Sequence, residues 1–206
     1  MRKKEGDKKA DIISAAIKIF AKMGFHDTKI HHIADNAGIA TGTVYLYFGN
    51  KEKILLNIFE TVWKHIFENL EQISQNQTLE TLIKFDQMVD SLFNYFTSDP
   101  LLARVFVNEQ NRLVQKKKEL FTVYYLKSIR LIEDLVKEGI DRKTFDPSIE
   151  PLTCSHFIFG GLRHILLQWS DDQSRYSLDT IRLNIKNYIR YGLTGPKDKT
   201  PGIQSV

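Results

Sequence analysis

Four hydroxyl-bearing residues, Thr41, Thr43, Tyr45 and Tyr47, alternate along one short stretch, with Gly42 between the first two and Lys51 shortly after. Hydroxyls of this kind donate to phosphate oxygens and base edges, and their carbon atoms pack on thymine methyls. The chemistry they suit is recognition of a duplex, not bond making. Catalytic groupings are sparse elsewhere. Cys154 and His156 suggest a nucleophile and base, yet at i, i+2 they take opposite faces of a helix and no oxyanion signal follows, so both read as packing residues. His31 and His32 suggest a metal pair, but adjacent helical residues point about 100° apart and no carboxylate stands at suitable spacing. There is no Gly-rich phosphate loop after a strand, no HExxH and no nucleophile elbow. The chain reads as a non-enzyme with no cofactor and no metal.

A helix-turn-helix would position the hydroxyls. Residues 28–37 and 41–48 read as two short helices joined by a turn at Gly38, Ile39 and Ala40. The second makes a poor core element, because only Val44 and Phe48, at i and i+4, form an inward face. Ahead of it, Ile13, Ala16, Ile17 and Phe20 give a helix over about 8–23 one buried stripe, and Gly24 stops it. Asn50 is a good N-cap for a long helix from Lys51 to about Ser74. Helical periodicity continues over about 79–96, 101–113, 116–138, 148–168 and 178–191, with Gly139 capping the third of these. The fold class is all-α: a three-helix domain over 1–50, a larger helical domain over 51–194, and a frayed tail over 195–206.

Charge divides the chain along the same line. Residues 1–51 hold 9 of the 29 lysines and arginines but only 5 of the 25 acidic residues, so the net +4 lies there and the remainder balances at 20 against 20. A localised basic excess is the footprint of a module that meets a polyanion. The charged residues 2–9 are not followed by the apolar run of a signal peptide, and no stretch approaches the roughly 18 apolar residues that span a bilayer. A single cysteine fits a reducing compartment, so the expectation is a cytoplasmic protein without membrane partners.

The run Gly24-Phe25, Thr28, Ile33-Ala34, Ala37-Gly38-Ile39, Gly42-Thr43-Val44-Tyr45 and Tyr47-Phe48, then Asn50-Lys51-Glu52, resembles the DNA-binding domain of the TetR family of bacterial transcriptional repressors. The resemblance implies that Thr28 caps the second helix and touches a phosphate, that Thr43, Tyr47 and Lys51 hold phosphates, and that Thr41, Gly42 and Tyr45 lie against base edges. His31 stands where relatives often carry a base-reaching Arg, and Lys3, Lys4, Lys8 and Lys9 would reach along the DNA backbone or into a minor groove. Three positions depart from the pattern. Ala40 replaces a frequent Ser cap, leaving Thr41 to cap; Gly49 replaces a basic residue; Lys53 removes the reciprocal partner of Asn50.

The second domain is rich in aromatic residues, which form bundle cores and leave apolar cavities between helices. Phe157, Gly161, His164 and Gln168 run at i, i+4, i+7 and i+11, and Tyr188 lies in a last helix with apolar area on more than one side. Two helices from each protomer would make a twofold four-helix interface, as in the TetR family, and its palindromic operator half-sites would lie roughly 34–36 Å apart. Ile158-Phe159-Gly160, Trp169, Asp172-Gln173, Tyr176 and Leu178 look like the same region of the acyl-CoA-responsive FadR regulators of bacilli, a branch of that family. That likeness implies a lipophilic effector among Tyr95, Phe96, Phe106, Tyr125 and Phe159, with Arg104, Arg163 or the Lys116-Lys117-Lys118 cluster near its phosphates. The expectation is a dimeric repressor of double-stranded operator DNA, released by a long-chain acyl-CoA. The alternatives are a multidrug-responsive repressor of an efflux gene, a constitutive architectural DNA binder, or a helical carrier or enzyme for lipophilic molecules.

Overall fold

The computed structural model describes residues 5–116, 118–175 and 177–195, and every element among them is a helix. Lys3, Lys4, Lys117, Tyr176 and the tail beyond 195 lie outside the described residues, as do the side chains of Lys116 and Lys118. The elements are α1 (Glu5–Asp27), α2 (Ile30–Ala37), α3 (Thr41–Phe48), α4 (Lys51–Gln75), α5 (Thr81–Thr97), α6 (Pro100–Lys116), α7 (Lys118–Asp141), α8 (Pro151–Asp171) and α9 (Leu178–Thr194). The first three form one bundle. Helices α4 to α9 form the other, with α4 shared and α6 packed on α1.

In α1 the deepest side chains are Ile12, Ala16 and Phe20, so the buried stripe starts one residue earlier than the expected Ile13. The regular helix breaks at Gly24, whose φ of 76° and ψ of 165° suit a residue without Cβ. Gly38 closes α2 in the left-handed region, at φ 65° and ψ 38°, while Ile39 N–H donates back to the Ala34 carbonyl at 3.1 Å. Asn50 starts α4 as expected, its side chain accepting the Lys53 N–H at 2.8 Å.

Two expected helix ends move. Gly139 does not cap α7: the helix runs on to Asp141, and the Phe145 ring occupies the space that a Cβ at Gly139 would need. The α8 helix starts at Pro151, not Ser148, because Ser148 is bound in a turn by Asp146 and the Glu150 carboxylate caps the first amides.

The second bundle also holds an ion pair that periodicity could not reveal. Lys84 of α5 is fully buried, its ammonium 3.1 and 3.2 Å from the two oxygens of Glu138 on α7, and Thr81 donates to the same carboxylate at 3.1 Å. Removing one partner strands a buried charge, so Glu138→Ala is expected to lower stability by about 3 kcal/mol. The double change Lys84→Met with Glu138→Leu should recover most of it in urea unfolding.

Candidate nucleic-acid interface and apolar cavity

On α3, Val44 and Phe48 are buried as the spacing required. Outward lie Gly42, Tyr45 at 53% exposure and Leu46 at 84%, with Thr41, Thr43 and Tyr47 half-buried at the sides. Tyr47 packs against the core. Thr41 is not the cap: Ala40 takes that position with extended backbone and its carbonyl accepts the Thr43 N–H at 2.8 Å. His31 is exposed on α2, its ring centroid 4.2 Å from that of His32. His32 does the unforeseen work at the start of α2. Its Nδ1 accepts the Lys29 backbone N–H at 3.2 Å, the half of a capping box usually made by Glu or Gln, while the His32 backbone N–H donates to the Lys29 carbonyl at 3.1 Å.

Two residues expected at phosphates are turned towards the protein's own backbone. Thr28 is 1% exposed, and its hydroxyl donates 2.6 Å back to the Gly24 carbonyl, so Lys29 is the residue before α2 and the Thr28 hydroxyl faces the protein. Lys51 is the larger change. Its ammonium donates to the carbonyls of Phe25, His26 and Thr28 at 2.7, 2.8 and 2.7 Å, and it sits 4.6 Å from the centroid of the Phe25 ring. An ammonium has three hydrogens, and all three are taken. Carbonyls left unpaired past the last turn of a helix attract a cation, which is why a lysine fits there. The same loop is held from the other bundle, where Glu109 of α6 accepts the Phe25 N–H at 3.3 Å. Residues 25–28, which lead into α2, are thus gripped from α4 and from α6.

Those two helices also line a narrow, partly open apolar cavity of about 60 Å³. Trp63, Ile66 and Leu70 come from α4, Phe85, Met88 and Phe96 from α5, Phe106 from α6, and Ile158, Phe159 and Arg163 from α8. A column of rings joins the walls: Phe59 stacks on Phe106 at 5.1 Å, and Trp63 on Phe159 at 5.9 Å. Of the residues expected at a ligand, Phe96, Phe106, Phe159 and Arg163 do line this cavity. Tyr95, Arg104 and Tyr125 do not. Tyr95 is turned about 100° from Phe96 and stacks on His65 at 4.3 Å, where burial and the Asp99 charge raise its phenol pKa. Arg104 reaches Asp171 at the surface, 3.7 Å away. Tyr125 stands one layer outside, edge-on to Phe159 and 3.2 Å from His156 Nδ1. The aliphatic half of the wall, including Leu70, Met88 and Ile189, carried no sequence signal beyond helical periodicity.

A second concavity, open and about 540 Å³, runs between α8 and α9, lined by Phe157, Gly161, Ile165 and Tyr188 among others. Phe157 is 80% exposed and Tyr188 70%, and Gly161, His164 and Gln168 are also exposed. An added Cβ at Gly160 or Gly161 would meet no atom within 4 Å, so another helix can approach closely there. Leu183 and Tyr191 are further exposed apolar side chains of α9, outside the lining of this concavity. Half-buried Cys154 lies at its edge, and burial raises its thiol pKa, which disfavours the nucleophilic thiolate.

Among the described residues no helix is long and apolar enough to cross a membrane, and no cluster of three or more His, Cys, Asp or Glu could hold a metal ion. Residues 12–58 match the bacterial regulatory proteins of the tetR family, and residues 59–192 match the C-terminal region of YsiA-like proteins. The chain is 26% identical to the fatty acid metabolism regulator protein of Bacillus subtilis over 196 residues, covering 93% of this chain and 98% of that one. The fatty acid degradation regulator FadR of Bacillus halodurans superposes with a TM-score of 0.78 at 27% identity, over 93% of this chain and 98% of the other. FadR of Bacillus subtilis in complex with stearoyl-CoA shares the fold, with a TM-score of 0.77 at 23% identity over 89% and 98%. Helix-turn-helix, second helical bundle and both family matches agree: the chain belongs to the TetR family of bacterial transcriptional regulators, with a C-terminal region of the YsiA-like kind.

Proposed function

We propose that this chain is a repressor that binds a palindromic operator as a homodimer and leaves it when a long-chain acyl-CoA enters the cavity. The observation that carries the reading is the double grip on residues 25–28. Helices α4 and α6 hold that loop through Lys51 and Glu109 and line the cavity through Trp63 and Phe106. Support for the ligand class comes from the regulators of fatty acid metabolism among the relatives and from the stearoyl-CoA complex of one of them.

The size of the cavity makes the ligand a mechanical agent. At about 60 Å³ it is far below the roughly 300–1,000 Å³ of pockets that enclose sizeable ligands. An acyl chain therefore enters only by parting α4, α5 and α8. Helix α4 is unbroken from Lys51 to Gln75, so displacement at Trp63 and Ile66 travels along it to the clasp and tilts the recognition unit. By linkage, a hundredfold loss of operator affinity requires the ligand to prefer the released arrangement by about a hundredfold. Within the recognition unit, Thr41, Gly42 and Tyr45, with His31 alongside, are assigned to base edges, and Thr43 and Tyr47 to the DNA backbone. Arg163 is assigned to a polar part of the effector, and Phe157, Gly161, His164, Gln168 and Tyr188 to the dimer contact. The DNA-binding unit then covers about 1–50 and the effector and dimer unit about 51–194.

Retardation of the DNA upstream of the protein's own gene tests the assignment. A retarded palindromic fragment is expected, whereas a carrier or enzyme for lipophilic molecules leaves all DNA unshifted. Because Tyr45 is half-exposed and outside the core, Tyr45→Ala is expected to lower operator affinity at least tenfold while thermal unfolding and dimer mass stay unchanged. Unfolding of that variant would make its ring a core element and remove it from the interface.

A further inference from the structure

We infer that Leu46 is a specificity residue that reads the 5-methyl group of a thymine in each operator half-site. The inference rests on the DNA-binding reading above and adds a base to it.

With 3.6 residues per turn, successive side chains on a helix lie about 100° apart. Taking Val44 as the origin, Phe48 falls at about 40°, so the inward direction of α3 lies near 20°. Leu46 falls at about 200°, directly opposite. Its 84% exposure agrees with that position, since no protein atom covers most of the side chain. Its neighbour on the outward line is Gly42, which has no side chain, while Tyr45 and Thr43 flank it to either side. The isobutyl group of Leu46 is therefore the outermost side chain at the middle of the helix. A helix that enters a major groove along this face brings Leu46 to the base edges first.

Leucine has no hydrogen-bonding group. Against the N7 and O6 of guanine, or the amino groups of cytosine and adenine, it would bury polar atoms without partners, which is unfavourable. The thymine methyl is the apolar feature of the major-groove edge, and it is where a leucine gains contact without that penalty. Discrimination then has two sources: attraction to one methyl and exclusion of the polar alternatives. An exposed leucine on a surface helix is unremarkable in itself. Here its placement opposite the buried pair, beside the bare backbone of Gly42 on the outward line, ties it to the groove.

The experiment uses the full chain. Duplexes are selected from a random pool, and each symmetric thymine pair in the enriched site is replaced by deoxyuridine, which lacks only the methyl. From the transfer value of one methyl group, loss at one half-site should weaken binding about fourfold, and at both about fifteenfold. One symmetric position should show this loss in the wild type and none in Leu46→Ala, whose fold is safe because the side chain is exposed. An enriched palindrome indifferent to deoxyuridine at every position, or a methyl effect that persists in Leu46→Ala, overturns the role of Leu46 and leaves the DNA-binding reading standing. A pool that enriches no sequence overturns that reading itself, and the assignment of Leu46 with it.

Discussion

Lys51→Met is expected to weaken operator binding by about a hundredfold while leaving its salt dependence unchanged. The variant keeps the length and apolar stem of the side chain and removes the ammonium that joins three carbonyls at 2.7 to 2.8 Å. Hydrogen bonds to a charged donor contribute about 1.5–3 kcal/mol each, but these carbonyls are only partly buried and can turn to water, so a total of about 2–3 kcal/mol is reasonable. That energy now orders residues 25–28 and with them α2 and α3. A phosphate anchor would behave differently in two respects. Losing one phosphate contact on each protomer should flatten the dependence of log K on log salt by about 0.9 per contact. Arginine should also replace lysine well at a phosphate. At the clasp it should not, because a planar guanidinium cannot direct donors to three carbonyls converging on a point. Lys51→Arg binding the operator like wild type, or Lys51→Met reducing the salt slope, would return Lys51 to the phosphate role.

Phe157→Asp is expected to convert the dimer to a folded monomer with no measurable operator binding at micromolar concentration. The ring is 80% exposed within one protomer, so the substitution should not disturb that protomer's core. At a twofold interface the residue occurs twice, each ring contributes about 1.5–3 kcal/mol when buried, and each aspartate adds the cost of desolvating a charge. The combined effect is at least a thousandfold on dimer dissociation. Sedimentation equilibrium measures it, and circular dichroism checks that the monomer is folded. A Phe157→Asp protein that still sediments as a dimer would move the interface away from the groove between α8 and α9.

What was legible in the sequence was local. The pair Val44 and Phe48, the stop at Gly38 and the cap at Asn50 each depend on residues within a turn or two of one another, and all three stand in the structure. The family resemblance supplied residue roles that geometry then sorted. Thr28 and Lys51 were assigned outward because their types suit phosphates, but both face residues 24–28. Lys51 contacts lie up to 26 residues away in sequence, the Glu109 contact lies 84 away, and the Lys84 pair with Glu138 lies 54 away. No periodicity records such separations. Gly139 was misjudged for the same reason, since the ring of Phe145 and not the helix end dictates a residue without a side chain there. The cavity was legible in kind but not in membership. Counting aromatic residues found Phe96, Phe106 and Phe159 and also collected Tyr95 and Tyr125, because composition cannot say which side of a helix faces inward.

In the proposed mechanism, occupation of the cavity and occupation of the operator oppose each other through the grip on residues 25–28. The direct measurement is fluorescence anisotropy of the selected palindromic operator with the protein, titrated at fixed salt with stearoyl-CoA while calorimetry follows binding of the same ligand. Stearoyl-CoA is expected to bind and to weaken the operator complex at least tenfold, and Lys51→Met to reduce this ratio without weakening ligand binding to the same extent. Stearoyl-CoA that binds the dimer and leaves operator affinity unchanged would contradict the coupling, and failure to bind at all would contradict the effector.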